Sequence, residues 1–405
     1  MASTKAGRNG SVTLVALLGV AVFLNYVDRG AIGIAAPLMT AELKLDPEAF
    51  GLVLSAFFWV YAPVQLVVGW LCDRFSVYRL MAAGVLLWAA ATAATGFVAG
   101  FTSLLLARVL LGVGETIAFP GASKIIARHV PPERRGMANA ALSLGIALGP
   151  AAGTLAGGLI LASLGWRAIF LAFGIVTLLW LAPWFGATGK LARSETPEGE
   201  AVPMAALIGK WPLWSMSIAH VASNYVFYFL LGWLPLFLVN SRGLAITEMT
   251  VLATLGYAAQ AIAALGFGIL SDSWTRAGRP EAVIRRWMMA GGQLVAGLAV
   301  LGIAFARGPL ELGIVLCLAG IATGALSLNT YAVAQMFAGP RAAGTWVGIQ
   351  NAIGNTSGIF GPIVTGIIVK HLGYTTAFAV TAVVAVAGAL WWVVGVPAIR
   401  EVDLD

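Results

Sequence analysis

GYTTAFAVTAVVAVAGALWWVVGVP, Gly373 to Pro397, runs for 25 residues without a charge. Coiled as an α-helix it would extend about 37 Å, enough to cross a hydrocarbon core of about 30 Å. Uncharged blocks of comparable length recur at 80–107, 137–163 and 168–186. The whole chain follows suit: 60% of its 405 residues are hydrophobic and 10% are charged, where an ordinary soluble domain carries roughly a quarter charged. The sequence is written for a bilayer. At roughly 33 residues per span and turn, the length allows about twelve crossings. That leaves no room for a nucleotide-binding motor domain. Cys72 and Cys317 are too far apart in sequence to suggest a disulfide framework. The opening stretch MASTKAGRNGSVTL leads into a span carrying Asp28 and Arg29 and is read as retained rather than cleaved.

Breaks at charged, Gly and Pro turns predict spans near 12–37, 49–71, 80–99, 102–127, 137–162, 168–187, 211–240, 247–270, 286–306, 310–336, 342–369 and 373–396. The one long polar interruption, about 188–210, reads as a solvated cytoplasmic linker. It would join an N-terminal six-helix bundle, 1–187, to a C-terminal one, 211–405. With both termini cytoplasmic, 16 of the 24 Lys and Arg fall on inside segments and only Lys44, Arg167, Arg242, Arg307 and Lys370 outside. The net charge of +7 therefore reflects topology and is no sign of a nucleic-acid partner. The halves echo each other. Gly69-x-x-x-Asp73 returns as Gly268-x-x-x-Asp272, Gly149-Pro150 as Gly361-Pro362, and Leu164-Gly165 as Leu372-Gly373, at offsets of 199, 212 and 208 residues. A duplicated bundle of this kind is a transporter architecture, with its site at the midplane between the halves.

GWLCDRFSVYR, Gly69–Arg79, is similar to the loop signature of the major facilitator superfamily, with Ser76 and Tyr78 departing from it. NYVDR (Asn25–Arg29), RVLLGVGETIAFPGA (Arg108–Ala122), PPERRG (Pro131–Gly136), LGWRAIF (Leu164–Phe170) and AHVASNYVFYFLLGWLPLFL (Ala219–Leu238) together resemble its anion:cation symporter branch, which includes bacterial sugar-acid permeases, sialin and vesicular glutamate transporters. The resemblance covers essentially the whole chain. It implies an all-α integral membrane protein of twelve helices in two pseudo-symmetric bundles. It also implies a secondary transporter of small organic anions, driven by protons or in some members by sodium, with no other cofactor. The expected setting is the plasma membrane, the bacterial inner membrane in particular, and the expected form a monomer.

Charges inside a span cost on the order of 2.5–3.5 kcal/mol each on insertion scales, so they face a cavity or one another and mark function. Asp28, Arg29, Arg108 and Glu115 form the strongest set. Arg108 and Glu115 lie seven residues apart, on one face but about 10.5 Å apart along the axis, so they do not pair directly. Adjacent Asp28 and Arg29 diverge by about 100°. Arg29 is therefore expected to face the substrate path, where its planar fork suits a carboxylate, and Asp28 to turn toward Arg108 or its neighbours. Asp28 and Glu115 are the candidate proton-coupling acids, tuned by Arg108, because a buried carboxyl changes its proton affinity with the partners in reach. His220 is more readily a hydrogen-bonded packing element than a coupling group.

Tyr26, Tyr61, Gln65, Asn224, Tyr228, Asn351, Asn355 and Gln335 are candidate substrate-binding residues. Asn351 and Asn355 fall where similar family members carry an asparagine pair. Span five, LSLGIALGP (Leu142–Pro150), lacks the Gln that sugar-acid members often place there. Asp73, Arg74 and Arg79, with the weaker copy Asp272 and Arg276, are the expected cytoplasmic gate. Gly145-x-x-x-Gly149-Pro150-x-x-Gly153 leaves a proton-coupled exporter of the same superfamily as the alternative. No nucleophile–base or metal constellation argues for an enzyme.

Overall fold

The computed structural model describes residues 2–130, 132–189, 191 and 204–403, and the described residues are overwhelmingly helical, with no strand. The first half holds α1 (Ala2–Glu42), α2 (Pro47–Arg74), α3 (Val77–Thr95), α4 (Phe101–Glu115), α5 (Ala118–His129), α6 (Pro132–Leu164), α7 (Trp166–Leu179) and α8 (Leu181–Thr188). After the short α9 (Met204–Ile208) follow α10 (Trp211–Asn240), α11 (Ile246–Arg276), α12 (Glu281–Phe305), α13 (Pro309–Gly354) and α14 (Ser357–Val394). The expected linker, 188–210, lies largely outside the described residues.

Among the described residues, 11 helical stretches are long and apolar enough to cross a membrane. The longest, Ala342–Val394, turns at Gly373, whose φ of 80° suits glycine. That turn supplies the twelfth crossing. α4 with α5 makes span four and α7 with α8 makes span six. Large apolar side chains such as Leu159, Ile262 and Val383 are exposed on the outer faces, which is how helices solvated by lipid tails differ from those of a water-soluble bundle.

Across the middle of the molecule α1 packs on α10, α2 on α14, and α6 on α11. These seams are tightest toward the end that holds the 43–46 turn. A side chain at Gly33 would run into the carbonyl oxygen of Leu231, and one at Gly51 into that of Pro362. Ser55 Oγ donates to Ile359 O at 2.7 Å along the same seam. Small residues let backbones meet where lipid supplies no hydrophobic drive between helices. The two halves therefore close on each other at the Asp46 end.

Candidate functional site

Midway along α1, Asn25, Asp28 and Arg29 are buried at 0%, 3% and 7% exposure. The helical turn between Asp28 and Arg29 sends them to different neighbours. Asp28 Oδ2 accepts from Trp88 Nε1 and, at 3.1 Å, from Thr92 Oγ1, both on α3. Arg29 Nε donates to Glu115 Oε2 at 3.0 Å, where α4 ends. The Arg29 guanidinium sits over the Tyr61 ring at 4.6 Å and over the Tyr26 and Phe57 rings at 5.2 Å. Arg108, also buried, lies over the other reach of Phe57 at 5.1 Å. Rings around a desolvated cation add of order 2 kcal/mol and hold it in place.

Asp28 is expected to turn toward Arg108 or its neighbours within the N-terminal half. It stays within the first half but is held by an indole and a hydroxyl, and Arg108 makes no hydrogen bond to it. Arg108 and Glu115 are unpaired with each other, as their spacing requires. Among the described residues, Arg29 Nη2, Glu115 Oε1, Asp28 Oδ1 and Arg108 Nε are buried without a hydrogen-bond partner. Each such atom is costly, and four of them gather around one cluster.

A small cavity opens on this cluster between the halves. Arg29, Tyr26 and Tyr61 line it from one side, and Asn224, Asn351 and Asn355 from the other. Glu115, Asp28 and Arg108 stand behind that lining. Gln335 is exposed and is not among the lining residues; Tyr331, one turn earlier on α13, is. His220 lines the cavity too, set against Gln350 at 3.5 Å and edge-on to Tyr331. Tyr228, also an expected candidate, completes the wall with Phe119 and Phe227, which the sequence did not single out because apolar rings are common in any span.

Of the expected gate, Arg74, Arg79, Asp272 and Arg276 are exposed, and the side chain of Asp73 lies outside the described residues. A different ionic tie joins the halves at the Asp46 end. Lys370 Nζ meets Asp46 Oδ2 at 2.9 Å and Glu48 Oε2 at 2.7 Å, and His371 Nε2 lies 3.1 Å from Glu48 Oε1. Beside it, Arg167 binds Glu42 at 2.7 Å. The signal for the tie was an acidic pair after span one facing a basic pair before span twelve, which counting charges per side does not resolve.

The Ala49 N–H, capping α2, and then Lys370 hold the Asp46 carboxyl below its ordinary range. A carboxyl lowered by folding stabilises fully above its unfolded value of about 3.9 and loses that contribution as pH falls through the lowered value. The Asp46–Lys370 tie therefore does not vary across the neutral range. Ion pairs this open to solvent are individually weak. Lys370→Gln removes two, so alkylation of a cysteine placed at Leu54, with Cys72 and Cys317 replaced by Ala, should quicken roughly two- to tenfold. An unchanged rate would show that the tie does not hold this end shut.

The sequence family described as Major Facilitator Superfamily matches residues 18–284 and 246–403. Among curated relatives, "Probable anion transporter 1, chloroplastic" of Oryza sativa subsp. japonica is 29% identical over 399 residues, covering 94% of this chain and 75% of that protein. The "Hexuronate transporter" of Bacillus subtilis (strain 168) is 28% identical, covering 93% and 92%. Among solved structures, an inward-facing, occupied bacterial homolog of the human lysosomal transporter Spinster superposes with a TM-score of 0.78 at 22% identity, covering 94% of this chain and 95% of that one. Twelve crossings, a cavity between the halves and a match along nearly the whole length agree: the chain belongs to the Major Facilitator Superfamily.

Proposed function

We propose that the protein is a proton-coupled symporter that takes up a small organic anion by alternating access. One observation carries this reading: the buried Arg29–Glu115 pair, whose arginine lines the cavity and has its Nη2 donor unused. An entering carboxylate competes with Glu115 for the Arg29 fork. A buried carboxylate deprived of its cation takes up a proton rather than remain charged. Anion and proton are then loaded together, and the cluster keeps its net charge while the halves rock. Asp28, held by neutral donors, is the second acid that can carry a proton, with Arg108 tuning both.

The names of the anion and hexuronate transporters among its relatives support the substrate class. In this account 1–187 and 211–405 are the moving halves of a monomer in the plasma membrane, the inner membrane of a bacterium, with both termini cytoplasmic. The seam at Gly33 and Gly51 and the Lys370 tie then lie outside, so the structure is the state closed to the exterior. Asp73, Arg74, Arg79, Asp272 and Arg276 gate the opposite end. The proton is the coupling ion and no cofactor is required.

Proteoliposomes decide the matter. A panel of radiolabelled carboxylates should include one whose uptake rises several-fold with an acid-outside gradient and is indifferent to replacing sodium with potassium. Sodium-dependent uptake would move the coupling to that ion. Proton efflux driven by lipophilic cations, with no carboxylate uptake, would establish the exporter instead.

A further inference from the structure

Arg29 accounts for a carboxylate; the remaining wall bears on what that carboxylate is attached to. Six rings converge there, Tyr26, Tyr61 and Phe119 from one half and Phe227, Tyr228 and Tyr331 from the other. They are braced by their neighbours. Phe119 meets Tyr26 edge-on at 6.4 Å, and Tyr228 packs on Phe58 at 4.5 Å.

Four polar side chains of the wall are spent on one another or on Gln65. Tyr228 Oη donates to Asn355 Oδ1, and Asn355 Nδ2 donates to the Asn351 carbonyl at 2.7 Å. Asn351 in turn accepts from Tyr331 Oη at 3.3 Å and donates to Gln65 Oε1 at 3.2 Å. His220 and Asn224 stand outside that chain. Span five adds no polar group: its Gly149 and Gly153 are pressed against Tyr26 and Val27 of α1. A ligand with four or five hydroxyls would break this chain or bury several of them unbonded, at about 1–3 kcal/mol each. A flat apolar body would leave the chain intact and meet ring faces and edges.

The cations limit the ligand's charge as well. Arg29 is the one Lys or Arg among the lining residues, and Arg108 lies over Phe57 behind them. A second carboxylate in the cavity would find no second Lys or Arg among the lining residues, which is unfavourable in a buried site.

We infer that the anion is a planar aromatic monocarboxylate, not a sugar acid or a dicarboxylate, an inference that rests on the reading of this cavity as an anion site. The probes are benzoate, cyclohexanecarboxylate, glucuronate and succinate, titrated calorimetrically into the full-length protein at pH 6. Benzoate should bind at least tenfold more tightly than each of the other three. Phe119→Leu and Phe227→Leu should each weaken benzoate roughly three- to tenfold while changing cyclohexanecarboxylate less than threefold. If glucuronate or succinate binds as tightly as benzoate and Arg29→Lys weakens it, the aromatic assignment is overturned and the anion site stands. Equal affinity for cyclohexanecarboxylate also overturns it. If no carboxylate binds, both fall.

Discussion

Arg29→Ala should abolish carboxylate uptake and weaken carboxylate binding roughly ten- to a hundred-and-fiftyfold. The charge-assisted fork alone is worth about 1.5–3 kcal/mol, and the substitution also removes the ion-pair partner of Glu115, at 3.0 Å and 0% exposure. Breaking one side of a buried pair costs about 3–5 kcal/mol, so the variant should also denature at lower temperature, most of all at alkaline pH where Glu115 cannot easily be protonated. Arg29→Lys separates the two effects. It keeps a cation under the Tyr61 ring but loses the fork, and should recover stability more fully than binding. If Arg29→Ala bound carboxylates normally in calorimetry, the guanidinium would be a structural pair only.

The second large effect is expected of Glu115→Gln. The amide keeps the shape of the carboxyl and mimics its protonated form, so Arg29 is released toward the cavity whatever the pH. Gradient-driven accumulation should be lost, while exchange of internal for external carboxylate persists at rates within a few-fold of the native protein. Binding itself should strengthen, because the competitor for Arg29 is gone, and should lose its dependence on pH. Normal accumulation by Glu115→Gln under an acid-outside gradient would transfer the coupling to Asp28.

Much of the fold was legible because lipid imposes a coarse rule: every span must be apolar for its whole length. The division between 310–336 and 342–369 falls at Gly339, whose φ of 62° breaks α13. Helix ends were less legible. α12 begins at Glu281 rather than near 286, because a helix continues into water when its charges find partners, as Arg285 does with Glu281 and with Asn329 at 2.9 Å. The charged site could be read for the same reason as the spans, since charges in apolar helices are rare and expensive. Its pairing could not: adjacent residues on a helix diverge by about 100°, and nothing in the sequence says which neighbour each will meet. Trp88 and Thr92, one turn apart among alanines, gave no sign that they hold Asp28. Tyr331 rather than Gln335 faces the cavity because one further turn carries the chain past its end.

The claim that an anion and Glu115 compete for one guanidinium has a direct readout. Proton uptake on carboxylate binding can be followed with a pH indicator in weakly buffered solution, using the purified protein at neutral pH and no membrane gradient. Native protein should take up close to one proton per carboxylate bound, and Glu115→Gln should take up none while still binding. Stoichiometric binding to the native protein without proton uptake would contradict the account.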